Sequence, residues 1–480
     1  MLDRRQLLLG SAALLGACSA GGAGAPSSTP APTPAPGPSP TPLATAALLA
    51  DIQQRTFRFF WERTNPANGL MTDRWPTPSF SSIAATGFAL TAWPIGVTRG
   101  WLTRAQARER TLATLRFFWN APQGDAPTGT SGYKGFFYHF LVTDTGLRFR
   151  DNELSSVDTA LLLGGVLFAQ QWFDRPDEAE IRDLAAKIYA RCDWRWFQQQ
   201  DARKRVSMGW HPESGFIATP WFGYTEGQIL YILALGAPDL YLDKDAYDGW
   251  CSTYPDSWRG TGPTRHLAFG PHMAHQYTQI WLDMRGIRDT TMREAGFDYF
   301  ENSRRATYWQ RDYAQRNPGG WTGYGGDIWG LAACDGPADT VIDGRKFYGY
   351  AARGPIGLPD GLDDGTIAPT AAIASLPFAP EIVEPAAQAL HQRYGSAIYG
   401  QYGFLDSFNP TFTSRTAPLQ NGRITDVAGW VDGDYLGLDQ GPILTMIENH
   451  ASGMVWEAMR AHPAIQRGLR RAGFTGGWLG

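Results

Sequence analysis

Apolar residues recur at helical spacing from about Thr45 to residue 461, and this pattern limits the fold more than any other feature of the sequence. In the first segment, for example, Leu48, Ile52 and Phe59 fall on one side of a helix that ends at Asn65. Eleven further segments of this kind follow, so the pattern predicts twelve helices. The later ones lie near 83–97, 103–119, 155–173, 177–198, 225–236, 244–254, 271–284, 287–316, 367–377, 380–394 and 439–461.

The spacing of these segments favours one all-α architecture. Without its first 43 residues, the 480-residue chain has about 36 residues for each helix with its loop, which suits six αα-hairpins closed into a ring, an (α/α)6 toroid. Strand-like alternation is confined to short Gly-rich stretches near 133–149 and 341–356, where we expect small hairpins on loops. An irregular all-α domain is the alternative, and the absence of a fixed sequence period argues against an open superhelix of repeats.

The N-terminus has the pattern of an export signal. Arg4 and Arg5 precede a short apolar run over 7–15, and Cys18 follows directly after Leu-Gly-Ala. This predicts a lipoprotein signal peptide over 1–18 with Cys18 as the lipidated residue, an ordinary secretory peptide being the alternative. Residues 19–43 are almost entirely Ala, Gly, Pro, Ser and Thr and predict a disordered tether before one domain over 44–480. We therefore expect a lipid-anchored monomer on the periplasmic or outer surface of a bacterial cell envelope.

Charge and motifs exclude several function classes. The net charge is −4, from 42 basic and 46 acidic residues. A nucleic-acid-binding protein typically carries an excess of positive charge, so this class is excluded. The sequence has no P-loop, dinucleotide fingerprint or Gly-x-Ser-x-Gly elbow, and its His-x-x-His at 272–275 lacks a third ligand at the usual spacing. We therefore predict neither a cofactor nor a metal. The cysteines after the tether allow at most one disulfide; they are Cys192, Cys251 and Cys334.

Two acidic residues stand at predicted helix starts. Glu226, in PWFGYTEGQ (220–228), opens an apolar helix, where the helix dipole favours a carboxylate. Trp221 and Tyr224 would desolvate Glu226 and favour the protonated form that a general acid requires. Asp439, in LGLDQGP, lies at the start of the last predicted helix. Helix capping alone would also explain either residue.

Three further carboxylates have neighbours typical of a sugar-binding site. Glu153 and Asp158, in ELSSVDT, lead into a wholly apolar helix, and Asp406 lies between Phe404 and Phe408. Aromatic faces pack against the C–H surfaces of a sugar while carboxylates accept hydrogen bonds from its hydroxyl groups. The same alternation also occurs in ordinary turns.

Four motifs, in order along the domain, carry a family resemblance. They are GYTEGQ (223–228), DGTIAPTAAIASLPFAPEI (364–382), YGFLDSFNPT (402–411) and DYLGLDQGPILTMIENHASGMVW (434–456). Together they resemble the bacterial "putative glucoamylase" group, which includes the endo-β-1,2-glucanases of glycoside hydrolase family 144. The resemblance implies an (α/α)6 barrel and inverting hydrolysis of linear or cyclic β-1,2-glucan, with two carboxyl groups about 6.5–9.5 Å apart.

The resemblance also implies roles for individual residues. Glu226 matches the general acid and Asp439 is the match for the base, with Asp406 and Asp158 as competing bases. The implied substrate-binding residues are Glu153, Asp158, Trp221, Tyr224, Asp406 and Trp456. Two alternatives stay open: a transglycosylase or exo-acting hydrolase on a related glucan, and a glycan-binding lipoprotein without catalytic activity, which would lack the acid or the base.

Overall fold

The computed structural model describes residues 44–198 and 202–480, which are mainly helical. The predictions of a signal peptide, of lipidation at Cys18 and of a tether over 19–43 lie outside the described residues. The helices, in chain order, are α1 (Thr45–Arg63), α2 (Ile83–Thr98), α3 (Arg104–Asn120), α4 (Ser156–Trp172), α5 (Ala179–Ala190), α6 (Gly227–Gly236), α7 (Lys244–Cys251), α8 (Met273–Trp281), α9 (Tyr299–Arg316), α10 (Pro369–Ile373), α11 (Pro380–Ile398), α12 (Gly437–Ala451), α13 (Met454–Ala461) and α14 (Pro463–Arg471), with short helices at Trp194–Phe197 and Thr290–Ala295.

From α1 to α12, amphipathic and wholly buried helices alternate. Every residue of α6 and α10 is buried, and α2, α4, α8 and α12 are buried along nearly their whole length. The odd-numbered helices bury one face and expose the other, as helices on the outside of a core do. One hydrophobic core extends from Leu48 to Leu479. The prediction of a mainly helical fold is confirmed.

The buried helices contact one another in a closed cycle. Helix α2 packs against α4, α4 against α6, α6 against α8, α10 against α12, and α12 against α2. Between α8 and α10 the contact includes the Gln276 side-chain amide, which donates to Ala371 O at 3.0 Å and to Ser375 Oγ at 2.9 Å. The odd-numbered helices surround this cycle.

Glycines allow α2 and α4 to approach very closely. A Cβ atom added to Gly165 of α4 would lie 2.0 Å from the carbonyl oxygen of Gly87 in α2. A Cβ added to Gly87 would lie 2.4 Å from the carbonyl oxygen of Leu161. Two helix backbones therefore touch here, and no side chain larger than hydrogen fits between them.

Strands occur as short antiparallel pairs on the connections between helices. The two-stranded pairs are Arg74–Trp75 with Tyr435–Leu436, Ser81–Ser82 with Phe140–Leu141, Gly132–Tyr133 with Phe136–Phe137, Trp258–Arg259 with His266–Leu267, Ala333–Cys334 with Ala351–Ala352, Thr340–Ile342 with Arg345–Phe347, and Tyr399–Gly400 with Gly403–Phe404. The three-stranded sheets are Leu154–Ser155, Gly209–His211, Gly215–Phe216 and Phe408–Asn409, Gly429–Val431, Arg423–Thr425. Both predicted hairpin regions contain such pairs.

The predicted helices are all found, but three of them are wrong in extent. The segment predicted at 287–316 is interrupted at Gly296, and the segment at 439–461 is interrupted at Gly453. Both glycines adopt left-handed backbone conformations, with φ of 83° and 72°, that end a helix. The segment at 177–198 divides into α5 and the short helix Trp194–Phe197. Helix α14, rich in arginine, was not predicted.

The starts of the buried helices gather at one end of the molecule. The Thr370 hydroxyl, at the start of α10, donates to the carbonyl of Asp439 in the first turn of α12. Gly437, the first residue of α12, lies against Ala85 near the start of α2. Each buried helix from α2 to α12 is entered from the odd-numbered helix before it. The described parts of the six connections that lead into them, 64–82, 121–155, 191–198 with 202–226, 252–272, 317–368 and 399–436, therefore meet at this end.

At the other end of the buried helices, acidic groups are fully paired. Glu448, near the end of α12, is completely buried and accepts hydrogen bonds from Arg99 at 2.7 Å and Gln53 at 2.8 Å. Asp283, just after α8, is likewise paired with Arg285 and Arg460. Within the described residues no helix is long and apolar enough to cross a membrane, and Cys192, Cys251 and Cys334 are free thiols.

The close approach of α2 and α4 gives a stability test. Gly165→Ala should lower the free energy of unfolding by about 1–3 kcal/mol, because the new methyl group overlaps the Gly87 carbonyl. Gly395→Ala, inside α11, is the matched control, since its added Cβ would lie 3.6 Å from the His391 ring, which is an ordinary van der Waals contact. Urea unfolding of both variants measures the difference. Equal stability of the two variants would contradict the close contact.

Candidate active site

Six buried aspartates surround one arginine where the connections meet. The Arg74 guanidinium donates to Asp335 at 2.6 Å and to Asp73 at 3.3 Å, and lies 3.7 Å from Asp434. The aspartates come from three connections and from the first turn of α12. They are Asp73, Asp335, Asp406, Asp432, Asp434 and Asp439, each no more than 6% exposed. We call this group the aspartate cluster. In the part of the chain that the structure describes, these carboxyl groups outnumber the cations beside them, so several of them must be protonated.

Asp406 and Asp439 form the centre of the aspartate cluster. They share a side-chain hydrogen bond, and the Asp335 backbone N–H donates to Asp406 Oδ2 at 2.8 Å. Burial and the Asp439 charge raise the pKa of Asp406 well above its ordinary value. Burial, with the charges of Asp432 and Asp335, raises the pKa of Asp439 to about 7, although the hydrogen bond from Asp406 acts in the opposite direction. Near neutral pH the two carboxyls therefore share one proton, with Asp439 the first to ionise.

Three members of the aspartate cluster have the chemistry of cation ligands. One oxygen from each of Asp335, Asp406 and Asp432 lies within 4.8 Å of the other two. Oxygen ligands suit hard cations such as Ca²⁺, which take six or more of them. In the described structure Asp335 already accepts hydrogen bonds from Arg74 and Asn421, and Asp432 accepts one from the Gly433 amide. Arg74 thus supplies the positive charge in this part of the aspartate cluster.

A histidine joins two of the predicted substrate-binding carboxylates. His139 contacts Glu153 at 2.8 Å through Nδ1 and Asp158 at 3.4 Å through Nε2, while its ring stacks on Phe140. Burial alone would lower the pKa of His139, but the charges of Asp158 and Glu153 outweigh it and raise the pKa to about 9. At neutral pH His139 is therefore a cation that neutralises one of the two carboxylates.

Glu226 lies at the start of α6, beside the start of α4. Its side chain is 8% exposed. Trp221, five residues earlier, donates its indole N–H to the hydroxyl of Ser156 at 3.0 Å, which ties the Glu226 connection to α4. Ser155 caps α4 by accepting from the backbone N–H of Asp158 and also donates to its carboxylate at 2.5 Å. The predicted Glu226, Trp221 and Asp158 thus meet at one edge of the buried helices.

Tyr277, in the second turn of α8, connects the two sides of this site. Burial raises the pKa of its hydroxyl well above the ordinary value, and the charge of Asp439 raises it further. The charges of Glu226 and Asp158 act on the same hydroxyl. The Tyr277 hydroxyl donates to Leu438 O at 3.1 Å, which fixes it beside the first turn of α12. The charges of Glu226, Asp158 and Asp439 therefore all act on one tyrosine hydroxyl.

Two predicted substrate-binding residues, Trp456 and Tyr224, lie in the hydrophobic core. Trp456 lies on α13, beyond the opposite end of the buried helices, where it is 2% exposed and donates its indole N–H to Gln279 O. Tyr224 is adjacent to the site in sequence, but it is 1% exposed and its ring stacks on Tyr299 at 5.8 Å. Both aromatic side chains pack in the hydrophobic core, and their assignment as substrate-binding residues stays a prediction.

The sequence analysis missed several residues of the site. Arg74 and Asp335 lie in connections with no recognisable motif. Asp432 and Asp434 lie in VDGDY, and two acidic residues directly before an apolar helix could have indicated a site. His139 is flanked by aromatic residues in the sequence, and such neighbours do not by themselves indicate a site residue.

Comparison with known proteins identifies the family. The profile of the Glycoamylase family, described as "Putative glucoamylase", matches residues 218–463, which include Glu226, Asp406 and Asp439. The chain belongs to this family. A Glycoamylase structure from Bacteroides uniformis, described as a putative glucoamylase, is 31% identical and has a TM-score of 0.77, covering 92% of this chain and 100% of its own. The family resemblance predicted from the sequence motifs is confirmed.

Two further relatives have more specific names. The endo-beta-1,2-glucanase from Chitinophaga pinensis, solved with sophorotriose and glucose, is 25% identical with a TM-score of 0.76, over 91% of this chain and 100% of its own. A Parabacteroides distasonis protein named exo beta-1,2-glucooligosaccharide sophorohydrolase (non-reducing end) is 28% identical over 456 residues, which are 88% of this chain. The chain spans 57% of the length of that curated relative.

Because the pKa of Asp439 is raised, a substitution that removes its charge should stabilise the folded protein, and the size of this gain should depend on pH. Since the folded-state pKa is about 7 and an unfolded Asp titrates near 4, the folded protein holds this proton from pH 4 to 7 while the unfolded chain has released it. The parent therefore loses stability as pH rises through this window. Asp439→Asn should remove that loss and raise the free energy of unfolding at pH 8 by about 1–3 kcal/mol.

Chemical unfolding at pH 4, 6 and 8 measures this effect. Asp426→Asn, at a position 92% exposed, is the control and should show no comparable gain. An Asp439→Asn variant less stable than the parent at pH 8 would mean that the carboxylate is a net stabilising group.

Proposed function

We propose that the chain is a glycoside hydrolase with an (α/α)6 toroid fold that cleaves β-1,2-glucan with inversion at the anomeric carbon. The observation that carries the proposal is the position of Glu226 and Asp439. Each is a buried carboxyl at the start of an inner helix, at the same end of the molecule, and both act on the Tyr277 hydroxyl. The names of the Chitinophaga pinensis and Parabacteroides distasonis relatives support β-1,2-glucan as the substrate.

Glu226 is proposed as the general acid. Cleavage of a glycosidic bond leaves charge on the departing oxygen, and a protonated carboxyl at that oxygen removes the charge. Glu226 is 8% exposed and lies in the turn that opens the wholly buried helix α6. Trp221 stands beside it and, through Ser156, holds the Glu226 turn against α4.

Asp439 is proposed as the base that activates water. A base must be ionised when the acid is protonated, and of the Asp406–Asp439 pair Asp439 ionises first. Asp406 keeps the shared proton and donates a hydrogen bond to Asp439. This hydrogen bond holds the Asp439 carboxylate in place. This arrangement favours Asp439 over Asp406 as the base. Asp158 is less suited, because it is tied to His139 and Ser155.

Glu153 and Asp158 are proposed to bind sugar hydroxyls. His139 holds both carboxylates in fixed orientations, and neither one has an arginine partner among the described ion pairs. Carboxylates held in this way accept hydrogen bonds from neighbouring hydroxyl groups of a sugar ring. Trp221 completes this wall with an aromatic side chain.

Exo-action is the second candidate mode, and the name of the Parabacteroides distasonis relative favours it. An endo-acting enzyme releases a range of oligosaccharides early in the reaction, whereas an exo-acting sophorohydrolase releases disaccharide from the first turnovers. Chromatographic sizing of early products from linear β-1,2-glucan distinguishes the two modes. β-1,3- and α-1,4-glucans serve as control substrates.

We also propose that the chain is exported and anchored to the cell envelope by a lipid on Cys18. The support is the sequence pattern over residues 4–18 and the Pro-rich stretch after it. Metabolic labelling with a fatty acid, with Cys18→Ser as the control, tests the anchor.

Substitution of the proposed acid should abolish turnover but not binding. Glu226→Gln is expected to reduce kcat on β-1,2-glucan by 10²- to 10⁴-fold, because the amide cannot donate a proton to the leaving oxygen. Dissociation constants for β-1,2-glucooligosaccharides should stay within a few-fold of the parent. Glu457→Gln, exposed on α13, is the control and should keep full activity. Retained turnover in Glu226→Gln would remove Glu226 from this role.

The configuration of the first product tests inversion. Hydrolysis of a β-linked glucan by attack of water on the opposite face gives an α-anomer, which then mutarotates. Proton NMR of the anomeric region during the first minutes of reaction should therefore show the α-signal ahead of equilibrium. A β-anomer formed first would require a covalent intermediate and would exclude Asp439 as a base acting on water in the first step.

A further inference from the structure

A second cavity lies outside the aspartate cluster, in the connection 317–368 that joins α9 to α10. Its volume is about 300 Å³, and its walls include aromatic, apolar and charged side chains. The lining residues used below are Trp321, Lys346, Tyr348, Ile356, Leu362 and Asp363. A volume of this order is at the lower limit for a small-molecule site. We call it the Tyr348 pocket.

The Tyr348 pocket lies at the same end of the molecule as Glu226 and Asp439. Connection 317–368 leads into the start of the buried helix α10 and therefore belongs to the group of loops around the aspartate cluster. Tyr350, two residues after Tyr348, faces that cluster. Burial raises the pKa of the Tyr350 hydroxyl, and the charges of Asp335 and Asp406 raise it further. Two residues of chain span at most about 7 Å, so one oligosaccharide can reach both places.

A buried ion pair fixes the pocket relative to the aspartate cluster. The Tyr348 backbone N–H donates to the Asp364 carboxylate at 3.1 Å. Asp364 forms a completely buried bidentate pair with Arg353, at 2.8 and 2.9 Å. Arg353 in turn donates to the carbonyl of Cys334 at 2.6 Å, and the next residue is Asp335 of the aspartate cluster. The two sites are thus connected by rigid contacts rather than by a free loop.

The aromatic wall of the pocket is held in one orientation. Asp363 accepts hydrogen bonds from the Trp321 indole N–H at 2.8 Å and from the Tyr313 and Tyr324 hydroxyls at 2.8 and 2.7 Å. The backbone N–H of Gly365 donates to the same carboxylate, whose oxygens are therefore fully used. Asp363 thus acts as a support for the rings and not as a contact for a ligand.

The outer rim of the pocket leaves apolar and cationic groups open to solvent. Ile356 is 61% exposed and lines the pocket together with Trp321 and Tyr348. The Lys346 ammonium group lies 4.6 Å from the centre of the Tyr348 ring and supplies mobile hydrogen-bond donors. A fixed aromatic wall, an apolar edge and few charges suit a neutral ligand with both C–H faces and hydroxyl groups, which describes a pyranose ring.

We propose that the Tyr348 pocket binds a glucose residue of the glucan chain at a distance from the bond that is cut. This inference rests on the proposed function and adds a subsite to it. Short oligosaccharides that fill only the positions beside Glu226 and Asp439 do not reach the pocket, whereas longer chains do. The pocket therefore makes the enzyme prefer long substrates.

Kinetics on substrates of graded length test the subsite. Tyr348→Ala and Ile356→Ser should raise KM about three- to tenfold for long linear β-1,2-glucooligosaccharides while leaving kcat unchanged. KM for the shortest oligosaccharide that the full chain cuts should not change. Val341→Ala is the matched control, because Val341 is 64% exposed on the adjacent hairpin strand and does not line the pocket. Tyr348→Phe keeps the ring and should keep most of the affinity for long chains.

Calorimetric binding to the Glu226→Gln full chain provides a measurement without turnover. Adding Tyr348→Ala to this variant should weaken binding of the long oligosaccharide three- to tenfold and leave binding of the short one unchanged. Melting temperatures equal to the parent show that the variants fold. Unchanged KM and binding for long chains, or equal losses for long and short chains, would overturn the subsite. Absence of any β-1,2-glucan cleavage by the unaltered chain would instead overturn the proposed function.

Discussion

The structure of the site depends on one imbalance of charge, six buried aspartates around a single guanidinium. Arg74 pairs directly with Asp335 and Asp73, but Asp406, Asp432 and Asp439 have no cation of their own among the described contacts. Isolated ionised carboxylates are not stable in a low-dielectric interior, so protons must take the place of the missing cations. This requirement separates the proton affinities of Asp406 and Asp439 and gives the two carboxyls different roles.

The two ends of the buried helices differ in how their buried carboxyl groups are paired. At the far end, Glu448 and Asp283 are as deeply buried as the aspartate cluster, yet each has arginine partners and satisfied oxygens. At the near end, acidic groups outnumber their partners. A fold that needed carboxylates only for stability would pair them at both ends. The end that holds the aspartate cluster is therefore the one that the protein maintains at an energetic cost, as active sites often are.

Much of this could be predicted from the sequence, because helical periodicity is a local property. Helices such as α4 and α6 are almost wholly apolar, and Asp158 and Glu226 are visible as the acidic exceptions at their starts. Breaks at Gly296 and Gly453 were missed because apolar spacing continues across them. Trp456 illustrates a different limit, since a motif resemblance gives the chain position of a residue but not the end of the molecule to which it belongs.

The aspartate cluster as a whole could not be predicted, because it is assembled by long connections. Asp73, Asp335 and Asp406 are hundreds of residues apart at the extremes and meet only when six loops converge. No periodic pattern specifies such convergence. His139 likewise could not be identified from the sequence, because it contacts Glu153 and Asp158 only after the short strands of two turns have paired.

The excess of negative charge has a consequence for the transition state of the proposed reaction. As a glycosidic bond breaks, positive charge develops on the ring oxygen and anomeric carbon of the sugar. A field that was already present before the substrate arrived needs no reorganisation to stabilise that charge. The same field would repel phosphate or carboxylate groups attached to a glucan, so the charge of the aspartate cluster is suited to an uncharged polymer.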